Sequence, residues 1–212
     1  MNFIKKNFIG LCAVIFIFAC ASCTSEINIT VKENDCIEIA FSGASGNAFT
    51  KLINSASGEE GDTVIFDTKQ ISYELAKSGF SDVKVNSKNG YDLNILMNDA
   101  GKKSVLFSSK ILNIQKGKIT AELSPEKLKA FYDSSDEDIV QFLDLLLAPV
   151  FNDETMDADE YIETIASFYG DAAADEINDS NFKITLVDLD GNKKVKIIPI
   201  AELLSLRKVI AF

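Results

Sequence analysis

Two acidic stretches carry the residue types of a calcium loop. Such a loop sets oxygen ligands at its odd positions, glycine at the sixth and a bidentate glutamate at the twelfth. In Asp188-Leu189-Asp190-Gly191-Asn192 the glycine comes fourth, and the twelfth position is Pro199. A hairpin turn fits better, because Asp-Gly is a favoured turn pair. From Asp153 to Thr164, the residues Asp153, Thr155, Asp157 and Asp159 fall on the odd positions. There Ala158 replaces the glycine and Thr164 the glutamate. Asp157 and Asp159 suit the positive N-terminus of a following helix instead. Neither stretch supplies a metal-ligand set, so no metal and no cofactor is expected.

Catalytic patterns are equally sparse. The chain has no histidine, which removes Ser-His-Asp and Cys-His chemistry. Ser81 with Lys84, Ser124 with Lys127 and Ser205 with Lys208 match Ser-x-x-Lys spacing. None has the Ser-Asp-Asn or Lys-Thr-Gly partners of that chemistry. Gly43 and Gly46 are followed by no Gly-Lys-Ser/Thr, so no phosphate loop forms. Acidic residues are plentiful, yet nothing nominates a glycosidase pair. No catalytic residue is named, and the chain reads as a non-enzyme.

Cysteine chemistry points to the N-terminus. Lys5 and Lys6 precede an apolar run from Phe8 to Ala19, then Ala19-Cys20-Ala21-Ser22-Cys23. A charged start, an apolar stretch and small residues at a cut site make a secretory signal peptide. The run is shorter than the roughly 20 residues that span a hydrocarbon core, which disfavours a transmembrane anchor. A simple cleaved signal ending at Ala21-Ser22 is one alternative. The segment also resembles bacterial lipoprotein signal peptides: Cys23 follows Ala21 and Ser22 as the family's motif prefers, with Cys20 where Leu is usual. The resemblance implies a diacylglycerol thioether on Cys23 and cleavage before it. Cys20, after Ile17-Phe18-Ala19, is the alternative acceptor. Thr24 stands where the family's inner-membrane retention signal has Asp, which implies the outer membrane or the surface. These implications concern processing and location alone.

Acylation at Cys23 leaves Cys36 as the lone internal thiol, without a disulfide partner. In Asp35-Cys36-Ile37-Glu38-Ile39-Ala40-Phe41 it faces away from Ile37, Ile39 and Phe41, and it reads as a small packed residue rather than a reactive thiol. The formal charge is −11, and cleavage would remove two lysines and no acid. So acidic a balance opposes binding to nucleic acid and anionic headgroups. The remaining partners are a membrane reached through covalent lipid, an unidentified protein, or an apolar ligand.

The elements that must position these residues follow from periodicity. Residues 1–22 are the signal, 23–26 a short tether, and 27–212 one α+β domain. Ile27–Val31 and Cys36–Phe41 form a hairpin, and Ser42–Gly46 a break. Phe49, Leu52 and Ile53 share a helical face, and Gly58–Asp62 is a loop. Asp67 caps a helix lined by Ile71, Leu75 and Ala76 and ended by Gly79. Val83 and Val85, the Asn89-Gly90 turn, then Leu93 and Ile95 make a second hairpin. Strand alternation from Val105 and Phe107 to Ile114 and a Lys116-Gly117 reversal extend it as an antiparallel meander. Ser124-Pro125 starts a helix, and Ile139 to Leu147 reads as the buried core helix. A helix from Asp157 places Tyr161, Ile165, Phe168 and Tyr169 inside and ends at Gly170. Phe182 to Pro199 is a closing hairpin, Ile200–Leu206 a short helix, and Val209–Phe212 a tail packed on the sheet. The fold expected is a mostly antiparallel sheet built from hairpins and a meander, with helices packed on one face. Leu96–Lys103 echoes Leu186–Lys193, which two glycine-containing turns explain without duplication.

The functional expectation is a lipid-anchored bacterial envelope protein with a non-enzymatic binding or structural role. The alternative is a carrier of an apolar ligand, held in a sheet-helix pocket lined by Phe142, Leu146, Phe168 and Tyr169. A hydrolase ranks last.

Overall fold

The computed structural model describes residues 24–44, 46–48, 51, 68–88, 92–127, 156–205 and 208–212. The architecture is α+β. Six strands form one sheet: β1 (Thr24–Val31), β2 (Ile37–Ala44), β3 (Ser81–Asn86), β4 (Asp92–Asp99), β7 (Asn181–Val187) and β8 (Lys193–Pro199). Their spatial order is β3-β4-β2-β1-β7-β8. Every neighbouring pair is antiparallel except β1 and β7, which run parallel. Strands β5 (Leu112–Gln115), β6 (Lys118–Leu123) and β9 (Ile210–Ala211) make a second sheet in the order β5-β6-β9.

The period-two pattern decides which face of the large sheet is covered. Ile27, Ile29 and Val31 of β1 register with Phe41, Ile39 and Ile37 of β2, and all six are buried. Leu93, Ile95 and Met97 of β4, with Phe182, Ile184 and Leu186 of β7, continue that face. Each such side chain contributes about 1.5–3 kcal/mol on leaving water. The intervening residues Glu26, Asn28, Glu38, Asn94 and Asn98 stay partly exposed. One covered face is the arrangement that such alternation dictates.

Helices supply the cover. The helix α1 (Thr68–Lys77) buries Ile71 and Leu75, whereas Ala76, expected on the same face, is exposed. It ends at Gly79, where φ is +96° and a Cβ would stand 3.1 Å from the Lys103 carbonyl oxygen. That combination of positive φ and close backbone approach admits only glycine comfortably. The helix α3 (Ala158–Tyr169) buries Tyr161 and Ile165, and α4 (Asp171–Asn178) buries Ala173, Ala174 and Ile177. The expected short helix near the end is α5 (Ile200–Ser205), with Ile200, Leu203 and Leu204 buried.

Several expectations are corrected. The tether of residues 23–26 is, from Thr24 on, the first part of β1. Polar residues hid it, but Ser25 is fully buried against Phe182 in register, and Glu26 pairs with Lys183 at 3.1 Å. The break expected at Ser42 is strand as far as Ala44, paired with β4. Val105 and Phe107 lie on a short helix, α2 (Val105–Ser108), not a strand. Buried Asp99 sets this up by accepting the amides of Lys103 (2.8 Å) and Ser104 (2.9 Å), which bends the chain out of β4. The meander therefore breaks, and β5 and β6 form a separate sheet. The Leu96–Lys103 echo is no structural repeat, in line with the turn reading, because a helix follows the first turn and β8 the second. The tail does pack on a sheet: β9 pairs with β6, and Phe212 and Ala121 exchange backbone bonds of 3.0 Å.

Phe49, Leu52, Ile53, Asp67, the turn expected at Asn89-Gly90 and the helix expected at 139–147 lie outside the described residues. At the start of the preceding helix, Ser124 Oγ accepts the Lys127 amide at 3.3 Å, as an N-cap does.

Candidate functional site

The first acidic stretch serves as a junction between the two sheets. Asp188 is buried at the end of β7, and its Oδ1 accepts the amide of Ile119 at 2.7 Å, across 69 residues of sequence. Leu189 donates its amide to the Gly117 carbonyl at 2.9 Å. Gly117 (φ +75°) disfavours a side chain, because a Cβ there would lie 3.0 Å from the Leu189 Cβ. Asp188 accepts the Gly191 amide at its carbonyl and donates its own amide to Asn192, closing the turn. The carboxylate that opened the calcium reading is thus a structural acceptor, and the turn fits the hairpin expectation.

The second stretch is a helix cap. Asp157 Oδ1 accepts the amides of Asp159 (3.1 Å) and Glu160 (3.0 Å), and Glu160 Oε2 accepts the Asp157 amide at 2.9 Å. This reciprocal capping box satisfies amides that the helix leaves open. Thr164 Oγ1 donates to the Glu160 carbonyl at 2.8 Å, and Asp153 and Thr155 lie outside the described residues. Among the described residues no group of three or more acidic, cysteine or histidine side chains is gathered as a metal site would require.

The Ser-x-x-Lys matches do not assemble dyads. Ser81 Oγ reaches the Asn98 carbonyl at 3.5 Å, and Ser205 Oγ the Glu202 carbonyl at 3.4 Å. Lys127 Nζ is held by Glu122 at 2.9 Å and by the Lys110 carbonyl at 2.7 Å.

Cys36 sits partly buried beside the β1–β2 turn. Burial pushes its thiol pKa up first, and the carboxylates of Asp99, Asp82 and Glu38 push it further, against the opposing effect of Lys32. The thiolate is the reactive form, so this setting suppresses reactivity. Phe168 and Tyr169, expected inside and named for the carrier pocket, part company. Phe168 is 76% exposed and Tyr169 half-buried, with ring centroids 6.3 Å apart. Phe168 therefore does not line an interior pocket: it shares the helical face of Tyr161 and Ile165 but stands in the last turn of α3, where that face is exposed. Phe142 and Leu146 lie outside the described residues. Neither Cys20 nor Cys23 is described.

Two surface features were not read from the sequence. An open cleft of about 670 Å³ runs between α1 and β3, with Tyr73 and Ala76 on one side and Val83 to Asn86 on the other. The second is basic. At the Asp188 junction the β5–β6 reversal, with Lys116 and Lys118 on either side of Gly117, meets the β7–β8 turn that leads into Lys193, Lys194 and Lys196 of β8. Lys194 Nζ reaches the Ile119 carbonyl at 3.5 Å. All five lysines are exposed, and among the described residues no carboxylate pairs with any of them. The signal in the sequence was Lys193-Lys194-Val195-Lys196, but its convergence with Lys116 and Lys118 needed the tertiary contact.

No helix among the described residues is long and apolar enough to cross a membrane. Compared with protein-family models, characterised proteins and solved structures, the chain matches none.

Proposed function

We propose that this chain is a lipid-anchored protein of the bacterial envelope, acylated at Cys23, whose folded body has a non-enzymatic binding or structural role. The observation that carries the reading is the N-terminal sequence itself: Lys5 and Lys6, the apolar run from Phe8 to Ala19, and Cys23 behind Ala21-Ser22. One acyl chain anchors only marginally, and two or more hold stably, so the diacylglycerol would fix the body at a membrane. The start of β1 at Thr24 supports a close attachment. With Cys23 acylated, no tether would separate the lipid from an interior strand of the sheet. The sheet end bearing Thr24, Asn181 and Pro199 would then face the headgroups.

Radiolabelled palmitate incorporation in a bacterial host tests the assignment. Labelling is expected in the unaltered chain and in Cys20→Ala, and its loss is expected in Cys23→Ala. Retention of label in Cys23→Ala with loss in Cys20→Ala would move the anchor to Cys20, and no label in any chain would overturn the reading.

A further inference from the structure

The lysine cluster lies on a strand that is also an open edge. Strand β8 ends the six-stranded sheet, and its outward backbone groups have no partner among the described residues. Residues 193–197 are all exposed, and Val195 and Ile197 keep 56% and 61% of their surface in water. Natural sheets blunt such edges with lysine or proline, and Pro199 and one lysine would suffice for that. Here three lysines stand on β8 and two more converge from β6 and its turn, in a chain whose formal charge is −11. Val195 between the lysines and Ile197 after Lys196, both β-branched and bare, are the reverse of a guarded edge.

We infer that the β8 edge docks an extended acidic segment of a partner protein, which adds to the sheet as a further strand. Backbone pairing would supply affinity, as in other strand-addition interfaces. Carboxylates would meet Lys194 and Lys196 on one face of the strand, and apolar residues would cover Val195 and Ile197 on the other. The geometry also disfavours the chain's own membrane as the anionic surface, a step that rests on the Cys23 anchor. Pro199 registers with Asn181 and Thr24 at the anchored end, whereas Lys193 registers with Val187 and Thr30 at the other. Six residues at the usual strand rise put Lys193 about 20 Å from that end, beyond a Debye length of about 8 Å at physiological salt.

Amide shifts of the full chain, titrated with blocked hexapeptides, test this. The probes are a peptide alternating glutamate with valine, its lysine counterpart, and the glutamate peptide with N-methylated backbone. The glutamate peptide is expected to shift the amides of Lys193 to Ile197. The lysine and N-methylated peptides should bind at least about tenfold more weakly, and so should the glutamate peptide to Lys194→Glu/Lys196→Glu. These two side chains are exposed, and the variant's spectrum reports its folding directly. Equal binding of the N-methylated peptide would overturn strand addition, as would tighter binding of phosphatidylglycerol vesicles or heparin fragments. Shifts mapping to the α1–β3 cleft, or none at millimolar peptide, would overturn it as well. Palmitate labelling is unaffected by either result, so this inference and the anchor fail separately.

Discussion

Asp188→Ala cuts the link between the two sheets at its most buried point. The lost bond joins a carboxylate to the Ile119 amide at 2.7 Å, and Ile119 is fully buried. A hydrogen bond to a charged group contributes about 1.5–3 kcal/mol, and an orphaned buried amide costs about 1–3 kcal/mol. These two descriptions overlap, so the expected destabilisation is about 3 kcal/mol. For a chain of this size each kcal/mol shifts the melting temperature by about 2–4 °C, so circular dichroism melts should show a drop of about 6–12 °C. Asp188→Asn keeps a neutral acceptor in place and should cost about 1 kcal/mol. Because the carboxylate already has its partner, millimolar calcium should leave the melting temperature of the unaltered chain in place. A melt of Asp188→Ala within about 2 °C of the unaltered chain would refute the reasoning, as would a calcium-dependent rise that the variant abolishes.

Three further outcomes follow from single contacts. Cys36 should react with iodoacetamide at pH 8 more slowly in the folded chain than in urea, because burial and three carboxylates hold its pKa up; equal rates would contradict that setting. The Ser104 hydroxyl is buried with no hydrogen-bond partner among the described residues, so Ser104→Ala should raise stability by about 1 kcal/mol in urea unfolding, and a loss would reveal a partner. Asp157→Ala removes the carboxylate that accepts the Asp159 and Glu160 amides, while the bond from the residue-157 amide to Glu160 stays, and should cost about 1 kcal/mol, with early amide exchange confined to the first turn of α3.

How much of this was legible depended on whether the signal was local. The β1–β2 hairpin was legible because Ile27, Ile29 and Val31 alternate against Ile37, Ile39 and Phe41, and β7–β8 because Phe182, Ile184 and Leu186 do the same. Helix ends at Asp157, Gly79 and Gly170 were legible from capping chemistry. The parallel pairing of β1 with β7 was not, since no turn joins strands so distant in sequence. The helix at Val105–Ser108 was missed because Val105 and Phe107 alternate like a strand, while its cause, the Asp99 carboxylate, acts four and five residues away. The Cys23 expectation rests on its sequence neighbours alone, and that residue lies outside the described ones. The lysine cluster was invisible until Asp188 joined Ile119, because Lys118 and Lys193 belong to different sheets. Phe168 was misplaced because a helical stripe was extended one turn too far.

The central claim, an acyl anchor at Cys23, is met most directly by mass analysis of the mature N-terminal peptide from cells. A peptide that begins at Cys23 and carries diacylglycerol is expected. An unmodified N-terminus at Ala21 or beyond would contradict it.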